Sequence, residues 1–368
     1  SYLEAKIDKL KQILIQHSKQ KQLIAIQDFP DPDALSSAWA YQLIAKQYQI
    51  KTDIVYSGTI SHQENITLMK LTGLPATRWD SQDIETQDLS SYQGCVLVDT
   101  QGTNSDIMKS IERANIPIVV IIDHHSKQGE IETEFIDLRG QIRATATMMT
   151  QYIQGGLLNF DKNDNKHVKC ATALMHGLRS DTNQLLQAGE AEFQAAAYLS
   201  KFYDSQLLKE IMGSARSRQV MDIIEASLKN RMTQNNFSIS GVGYLRYEDR
   251  DAIPQAADFL VTEENIHTAV VYGIIYDRNE EIELVVGSLR TNKITLDPDE
   301  FIKQALGQDP QGKYFGGGRY MAGGFEIPID FLKGYNDTPE YIKLKWEVFD
   351  TQIKQKLLRS IDPDNKVV

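Results

Sequence analysis

The apolar positions of this chain fall into two regimes. Through the first half, short apolar runs at 23–27, 52–56, 95–99 and 117–122 alternate with stretches of helical period at 34–48, 63–71 and 104–114. That rhythm predicts βαβ units and a parallel sheet with helices on both faces. Ahead of it, Leu3, Ile7, Leu10 and Leu14 share one helical face. Behind it, 143–154 and 167–179 read as further helices flanking a polar loop at 159–165. From Glu190 to about Met232 the chain is helical in period, lacks proline and carries Gly213 as its only glycine, which suits a connector between domains. Beyond it the character changes. The segments 237–240, 242–247, 267–276 and 282–289 are rich in β-branched and aromatic residues, as strands are, with helices expected at 254–262, 298–306 and 338–358. The fold class is therefore α/β: a parallel-sheet domain over 1–190, a helical connector over 191–235, and a smaller α/β domain over 236–368.

Length and composition agree with that division. A chain of 368 residues is long for one core, and 41% hydrophobic with 24% charged residues is the balance of a soluble globular protein. The longest apolar run, 116–122, falls far short of the roughly 20 residues of a membrane span, and the charged opening Ser1-Tyr-Leu-Glu-Ala-Lys has no secretory core. Cys95 and Cys170 sit in apolar stretches and build no disulfide framework. These features place the expected compartment in the cytoplasm. A net charge of -11 argues against a grip on long nucleic acid, whose affinity depends on many neutralised phosphates.

The chemistry collects where strands end. Ile121-Ile-Asp-His-His125 closes an apolar strand with one acid and two imidazoles. Asp31 and Asp33 follow the first strand, Asp99 ends another, and Asp181 follows a helix-like stretch in Gly177-Leu-Arg-Ser-Asp-Thr182. The carboxyl edge of an open α/β sheet is where ligands bind, and an Asp-x-Asp loop can send two carboxylates to two ions. Asp99, on a strand expected to be buried, needs a partner or a metal to be tolerated. Each feature has a plain structural reading: Asp33 as a helix cap, Asp181 as a turn residue, His17, His62, His167 and His267 as surface or strand residues, and His176 as a buried, hydrogen-bonded histidine. In the second half, Gly316-Gly-Gly-Arg319 offers a flexible backbone able to cradle an anion, with a guanidinium fork beside it, and Arg290 in Gly287-Ser-Leu-Arg-Thr291 is a second candidate phosphate clamp.

Taken in order, Asp31-Pro-Asp-Ala34, Val98-Asp99, Asp123-His-His125 and Ser180-Asp-Thr182, followed by Ser288-Leu-Arg-Thr291 and Gly316-Gly-Gly-Arg-Tyr-Met-Ala-Gly-Gly324, resemble the DHH phosphoesterase superfamily with its associated C-terminal domain. The C-terminal motifs resemble those of the nanoRNase and 3′-phosphoadenosine-5′-phosphate phosphatase group, which in turn resembles the RecJ exonucleases and cyclic-di-AMP phosphodiesterases. The resemblance implies two divalent cations, manganese by expectation with magnesium as the alternative. Asp31 and Asp99 would hold one cation, with Gln27 as a further candidate ligand; Asp33, Asp99, His124 and Asp181 would hold the other. Asp99, Asp123, His124 and His125 would form the catalytic set, Asp123 orienting His124 and His125 facing the substrate phosphate. Arg290, Gly316, Gly317, Gly318 and Arg319 would hold the nucleotide from the second domain, across a cleft.

Two positions depart from the family pattern. Gln27 stands where a histidine is usual, which weakens the first metal site, and Arg319 stands where the glycine run usually ends in histidine, which favours phosphate binding over proton transfer. The expected activity is metal-dependent hydrolysis of 3′,5′-bisphosphate nucleotides such as pAp, or of very short oligoribonucleotides. A cyclic-di-AMP or linear dinucleotide phosphodiesterase is the alternative enzyme, and a catalytically weak nucleotide sensor the alternative of another class. The expected partner is a small nucleotide or short oligoribonucleotide, with no long nucleic acid and no membrane, and a homodimer is the candidate oligomer.

Overall fold

A computed structural model describes residues 1–60, 62–277, 281–334 and 337–364. The chain divides into two compact units, with the boundary between Ser214 and Ala215. The first unit runs α1 (Tyr2–Gln16), β1 (Lys21–Ala25), α2 (Pro32–Gln47), β2 (Lys51–Tyr56), α3 (Gln63–Thr72), β3 (Ala76–Arg78), α4 (Ser81–Thr86), β4 (Gly94–Val98), α5 (Met108–Arg113), β5 (Ile118–Asp123), β6 (Phe135–Leu138), α6 (Thr145–Tyr152), α7 (Asn165–Asp181), α8 (Glu190–Leu199) and α9 (Ser205–Met212). Its six strands pair in the order β3-β2-β1-β4-β5-β6 and all run parallel.

That order reverses between β1 and β4: the chain leaves β1 to build outward through β2 and β3, then returns to the other side of β1. Such a reversal opens a crevice beyond the strand ends. Beyond the first residues of β1 and β5 the inner strands are buried, with Leu23, Ile24, Cys95, Val96, Ile121 and Ile122 sealed between two apolar layers. Leu10 and Leu14 bury the predicted face of α1, with Leu3 and Ile7 packed beside them. The short β3, α4 and β6 are additions to the expected elements; with three to six residues each they are too brief for periodicity to mark.

The second unit runs α10 (Arg218–Asn230), β7 (Met232–Gln234), β8 (Phe237–Arg246), α11 (Ala252–Leu260), β9 (Thr268–Asp277), β10 (Ile282–Thr291), α12 (Pro298–Leu306), β11 (Gly316–Arg319), β12 (Ala322–Pro328) and α13 (Pro339–Ile361). Its mixed sheet has the order β11-β12-β10-β9-β8-β7, with β8 and β9 parallel and the other pairs antiparallel. The two strands expected at 237–240 and 242–247 are one strand, broken in register between Gly241 and Tyr244 around the left-handed Gly243.

The segment expected as a connector is shared between the two cores. Leu199 of α8 with Leu208 and Ile211 of α9 are buried in the first core, while Val220, Ile223 and Ile224 of α10 join α11 in the second. Helices with so defined an apolar face bury it against the nearest sheet or bundle rather than standing alone. Among the described residues no helix is long and apolar enough to cross a membrane.

One contact sets the distance between two acidic segments of the first unit. Gly177 lets α7 lie directly on the start of α2: a Cβ at this position would stand 2.6 Å from Ser36 Oγ, 2.9 Å from the Pro32 carbonyl oxygen and 3.0 Å from Asp33 Cα. Gly177→Ala is therefore expected to cost about 1–3 kcal/mol through overpacking and to push α2 away from α7. Chemical denaturation measures the first effect, and a weaker metal titration the second.

Candidate metal centre

The loops that leave β1, β4 and β5 meet at the crevice, and α6 and α7 close it. Asp31 caps α2, its Oδ1 accepting the Ala34 N–H at 2.8 Å. The cap is thus Asp31, and Asp33 is released from the capping duty considered for it. Asp33 lies in the first helical turn, fully buried, where its two oxygens accept the N–H groups of Thr145 (3.0 Å) and Ala146 (2.7 Å) at the start of α6. That helix has no side-chain cap of its own, so the carboxylate of Asp33 satisfies its exposed donors and interacts with its positive end.

Asp99 follows β4 with φ at 60°, a left-handed backbone that an aspartate tolerates better than most residues. Its Oδ1 accepts a 2.7 Å hydrogen bond from the Thr145 hydroxyl. His124, also buried, directs Nδ1 at the Ile142 carbonyl oxygen (3.1 Å) and Nε2 at three carboxylates: Asp33 Oδ2 at 3.5 Å, Asp99 Oδ1 at 3.4 Å and Asp181 Oδ2 at 3.5 Å. These separations are long for hydrogen bonds.

The charges of this cluster oppose one another. Asp99 is pushed well above the ordinary carboxylate range, first by burial and then by the charges of Asp33, Asp31, Asp181 and Asp123. Burial also works against the Asp123 carboxylate, but the hydrogen bond and charge of His125, followed by a bond from Gln101, outweigh it and hold that carboxyl low. Potential ligand atoms of Asp99, Asp123, His124 and His125 lie within 4.8 Å of one another, as do those of Asp33, His124 and Asp181. A buried place that gathers this much negative charge, with His124 shared between both groups, fits divalent cations: oxygen and imidazole donors are those manganese or magnesium accept.

The arrangement revises some expectations. Asp123 pairs with His125, whose Nδ1 is 2.5 Å from Oδ1; His124 Nδ1 meets the Ile142 carbonyl instead. The Asp123 carboxylate is fixed on its other side by Gln101 Nε2 at 3.0 Å. Gln27 Oε1 accepts from Asn104 Nδ2 at 3.3 Å, a contact with the loop after β4. His176 is buried, as expected, yet its Nε2 has no hydrogen-bond partner among the described residues, and burial above all pushes its pKa down to about 4. Thr145, Gln101 and Ile142 were missed by sequence reasoning. A threonine opening a helix and a backbone carbonyl carry no chemical signature, and Gln101 had only its place two residues after Asp99.

Asp181, the last residue of α7, is followed by an unusual turn. Asn183, Gln184 and Leu185 take φ values of 48°, 59° and 75° in succession without a glycine, although runs of left-handed L-residues are disfavoured. Thr182 accepts the Leu185 N–H on its hydroxyl (3.1 Å), and Gln184 Oε1 accepts from Arg179 Nε and Nη2 at 3.1 and 2.9 Å. The clasp ties the turn to the helix that carries Asp181.

In the second unit the glycine run is an edge strand. Gly316 to Arg319 pair with β12, and the Gly318 N–H donates to Asp299 Oδ1 at 3.0 Å. A Cβ at Gly317 would stand 2.5 Å from that same oxygen, and one at Gly316 2.3 Å from the Gly324 carbonyl oxygen. The glycines allow β11 to pack tightly on its neighbours, and the Gly318 amide is not available to the anion cradle expected here. Arg290 Nε donates to Asp258 Oδ1 at 2.9 Å, and Arg319 is exposed with its guanidinium 5.0 Å from the Tyr320 ring centre.

Residues 22–178 match the family model described as the DHH family, N-terminal domain. Over 366 residues the chain is 32% identical to Uncharacterized protein MJ1633 of Methanocaldococcus jannaschii, an alignment covering 95% of this chain and 70% of that protein. The chain belongs to the DHH family. Its fold is that of an exopolyphosphatase-related protein from Bacteroides fragilis, with a TM-score of 0.68 at 14% identity and 97% of both chains covered. RecJ from Thermus thermophilus in complex with Mn2+ is a more distant likeness, with a TM-score of 0.45 at 11% identity, covering 98% of this chain and 59% of that one. This DHH protein is a phosphoesterase, and its cluster at the sheet crevice gathers side chains that could hold a metal ion.

Asp99→Asn is expected to separate charge from shape, because asparagine suits the left-handed backbone equally well. In the metal-free protein the raised carboxyl of Asp99 keeps its proton to higher pH than in the unfolded chain. Stability therefore falls as pH rises above the ordinary carboxylate range. The asparagine removes that loss, so the metal-free variant should melt higher than the wild type at neutral pH, while the thermal shift produced by Mn2+ should vanish. Scanning calorimetry with and without Mn2+ reads both.

Proposed function

We propose that this DHH phosphoesterase hydrolyses small nucleotides carrying a few phosphates: 3′,5′-bisphosphate nucleotides such as pAp, or oligoribonucleotides of very few residues. The observation that carries this reading is the pairing of a strongly acidic metal cluster with an acidic chain. The net charge of -11 weighs against a grip on a long strand, whose affinity depends on many neutralised phosphates. Substrate phosphates would instead be held by bound cations, with the guanidinium groups of Arg290 and Arg319 as candidate phosphate ligands by their chemistry.

Divalent cations bound by Asp31, Asp33, Asp99, His124 and Asp181 would polarise the phosphoryl oxygen, favour ionisation of the attacking water and offset the charge that develops on phosphorus. The protein's own part is positional. Thr145 fixes the direction of the Asp99 carboxylate, the α6 amides fix Asp33, and the Ile142 carbonyl sets the His124 tautomer by accepting from Nδ1–H, which leaves the lone pair of Nε2 to face a cation held by the carboxylates. His125, about a quarter exposed and held through Nδ1 by Asp123, turns a constrained imidazole toward the crevice. Its free edge is suited to contact a substrate phosphate, because the bond to Asp123 fixes which ring nitrogen is left to do so.

The test is a panel of pAp, linear dinucleotides, cyclic dinucleotides, pyrophosphate and single-stranded RNA of increasing length, each assayed with Mn2+ and with Mg2+. Turnover is expected on the shortest phosphoesters and should fall as the strand lengthens. Arg319→Ala should raise KM for a short nucleotide roughly tenfold or more by removing charge-assisted hydrogen bonds, with Arg319→Lys restoring only part of it. Equal rates on a long single strand and on a dinucleotide would refute the short-substrate reading.

A further inference from the structure

The loop from β6 to α6 supplies several of the groups that hold the acidic cluster, and one peptide unit of it is gripped from both sides. The Ile142 carbonyl oxygen faces His124 Nδ1 at 3.1 Å. The N–H of that same peptide, which belongs to Arg143, donates to Glu192 Oε1 at 2.7 Å. We propose that Glu192 is a positioning residue for the metal centre: through this single peptide plane it fixes which nitrogen of His124 is left to bind a cation. This role rests on the metal reading of the cluster and is independent of which phosphoester is the substrate.

A trans peptide is planar, and its C=O and N–H point in opposite directions. Holding the N–H toward Glu192 therefore holds the C=O toward His124. Nδ1 must then carry the proton, and Nε2, which lies 3.4 to 3.5 Å from oxygens of Asp33, Asp99 and Asp181, keeps its lone pair. Turned over, the same peptide would present an N–H to Nδ1. The imidazole would answer with its other tautomer, placing a proton on Nε2, where it blocks a cation. Glu192 opposes that turn with a charge-assisted hydrogen bond, the stronger kind. The same bond polarises the peptide, so that its carbonyl accepts more strongly. Metal-bound histidines rest their second nitrogen on a carboxylate or a carbonyl; here a carbonyl receives the ring and a carboxylate stands behind it.

Glu192 is 2% exposed, a costly place for a carboxylate unless its oxygens are satisfied. Its other oxygen, Oε2, accepts the Gly189 N–H at 3.0 Å and completes the cap of α8. That duty is local, and a shorter acid meets it elsewhere in this chain: Asp83, at the same third helical position of α4, accepts the Asp80 N–H at 3.1 Å. The extra methylene of glutamate is what lets one side chain cap its own helix and also reach Arg143, 49 residues away in sequence. Other supports of the loop come from the centre itself. The Arg139 N–H donates to the Asp123 carbonyl oxygen at 3.2 Å, and the N–H groups of Thr145 and Ala146 donate to Asp33. Glu192 is a support from outside it. Because α8 follows the left-handed turn after Asp181, the bond also ties the segment bearing Asp181 to the loop that aims His124.

The test uses the full chain and separates the cap from the peptide contact. Glu192→Asp should keep the α8 cap, and a melting temperature near that of the wild type, while losing the bond to Arg143. Mn2+ affinity, read by calorimetry, should fall about tenfold or more, the scale of losing a partner that supports a metal ligand. The tautomer is read by NMR in metal-free protein carrying 15N-histidine, at a pH where the ring is neutral; loss of the signal in His124→Asn assigns it. His124 of the wild type should hold its proton on Nδ1, and in Glu192→Asp the proton should divide between both nitrogens. Glu192→Gln, whose amide offers one acceptor oxygen to two N–H groups, should show the same losses in smaller degree. Leu199→Ala, which opens the core beneath the same helix, should lower the melting temperature and leave tautomer and Mn2+ affinity unchanged. A tautomer or a Mn2+ affinity indifferent to Glu192→Asp overturns the assignment, as does Leu199→Ala weakening Mn2+ to the same degree. A wild-type chain that binds no Mn2+ refutes the metal centre, and the tautomer then decides by itself whether Glu192 orients His124.

Discussion

The structure of the first unit turns on an electrostatic conflict. Asp31, Asp33, Asp99, Asp123 and Asp181 all bear on one small buried region, and the imidazoles of His124 and His125 are its nearest counterweights. Carboxylates in such a place raise one another's proton affinity or call for a cation. Much of the surrounding architecture manages that conflict: the two α6 amides on Asp33, the Thr145 hydroxyl on Asp99, and the Gln101 amide on Asp123. Each supplies a donor to a carboxylate oxygen without adding a fixed positive charge. The negative potential that attracts a cation is therefore preserved while the ligands are held in place.

The fold makes this concentration tolerable by spreading it over separate elements. β1, β4 and β5 are neighbours in the sheet though distant in sequence, and each ends at the same edge. Asp31 with Asp33, Asp99, and Asp123 with His124 therefore arrive from three adjacent strands, and α7 brings Asp181 from above through its close contact with α2. The local backbone bends to suit: Asp99 is left-handed, and the turn after Asp181 holds three successive left-handed residues. Strain of this kind gathers where surrounding contacts over-determine it, here the Thr182 hydroxyl and the Arg179–Gln184 clasp.

Most of the first unit could be read from the chain because its signals are strong and local. Apolar strands that stop abruptly at Asp99 and Asp123 announce both the sheet and the site. What could not be read depends on tertiary packing. The contacts of Thr145, Ile142 and Gln101 arise only when the loop before α6 and the loop after β4 meet the acidic cluster. The exchange by which Asp123 holds His125 rather than His124 is a matter of ring orientation that no spacing encodes. In the second unit, Gly316 to Gly318 looked like an anion cradle because glycine frees the backbone. The structure uses the same freedom to seat β11 against Asp299 and β12. Composition cannot distinguish those two uses, since both require the absence of a Cβ.

The central claim is that the buried carboxylates converge in order to hold divalent cations. Anomalous diffraction from crystals of the full chain grown with Mn2+ addresses it directly. The account predicts anomalous peaks within coordination distance of Asp33, Asp99, His124 and Asp181, with His124 bound through Nε2. Manganese-dependent phosphoesterase activity in the same protein, with no anomalous density at these residues, would contradict it.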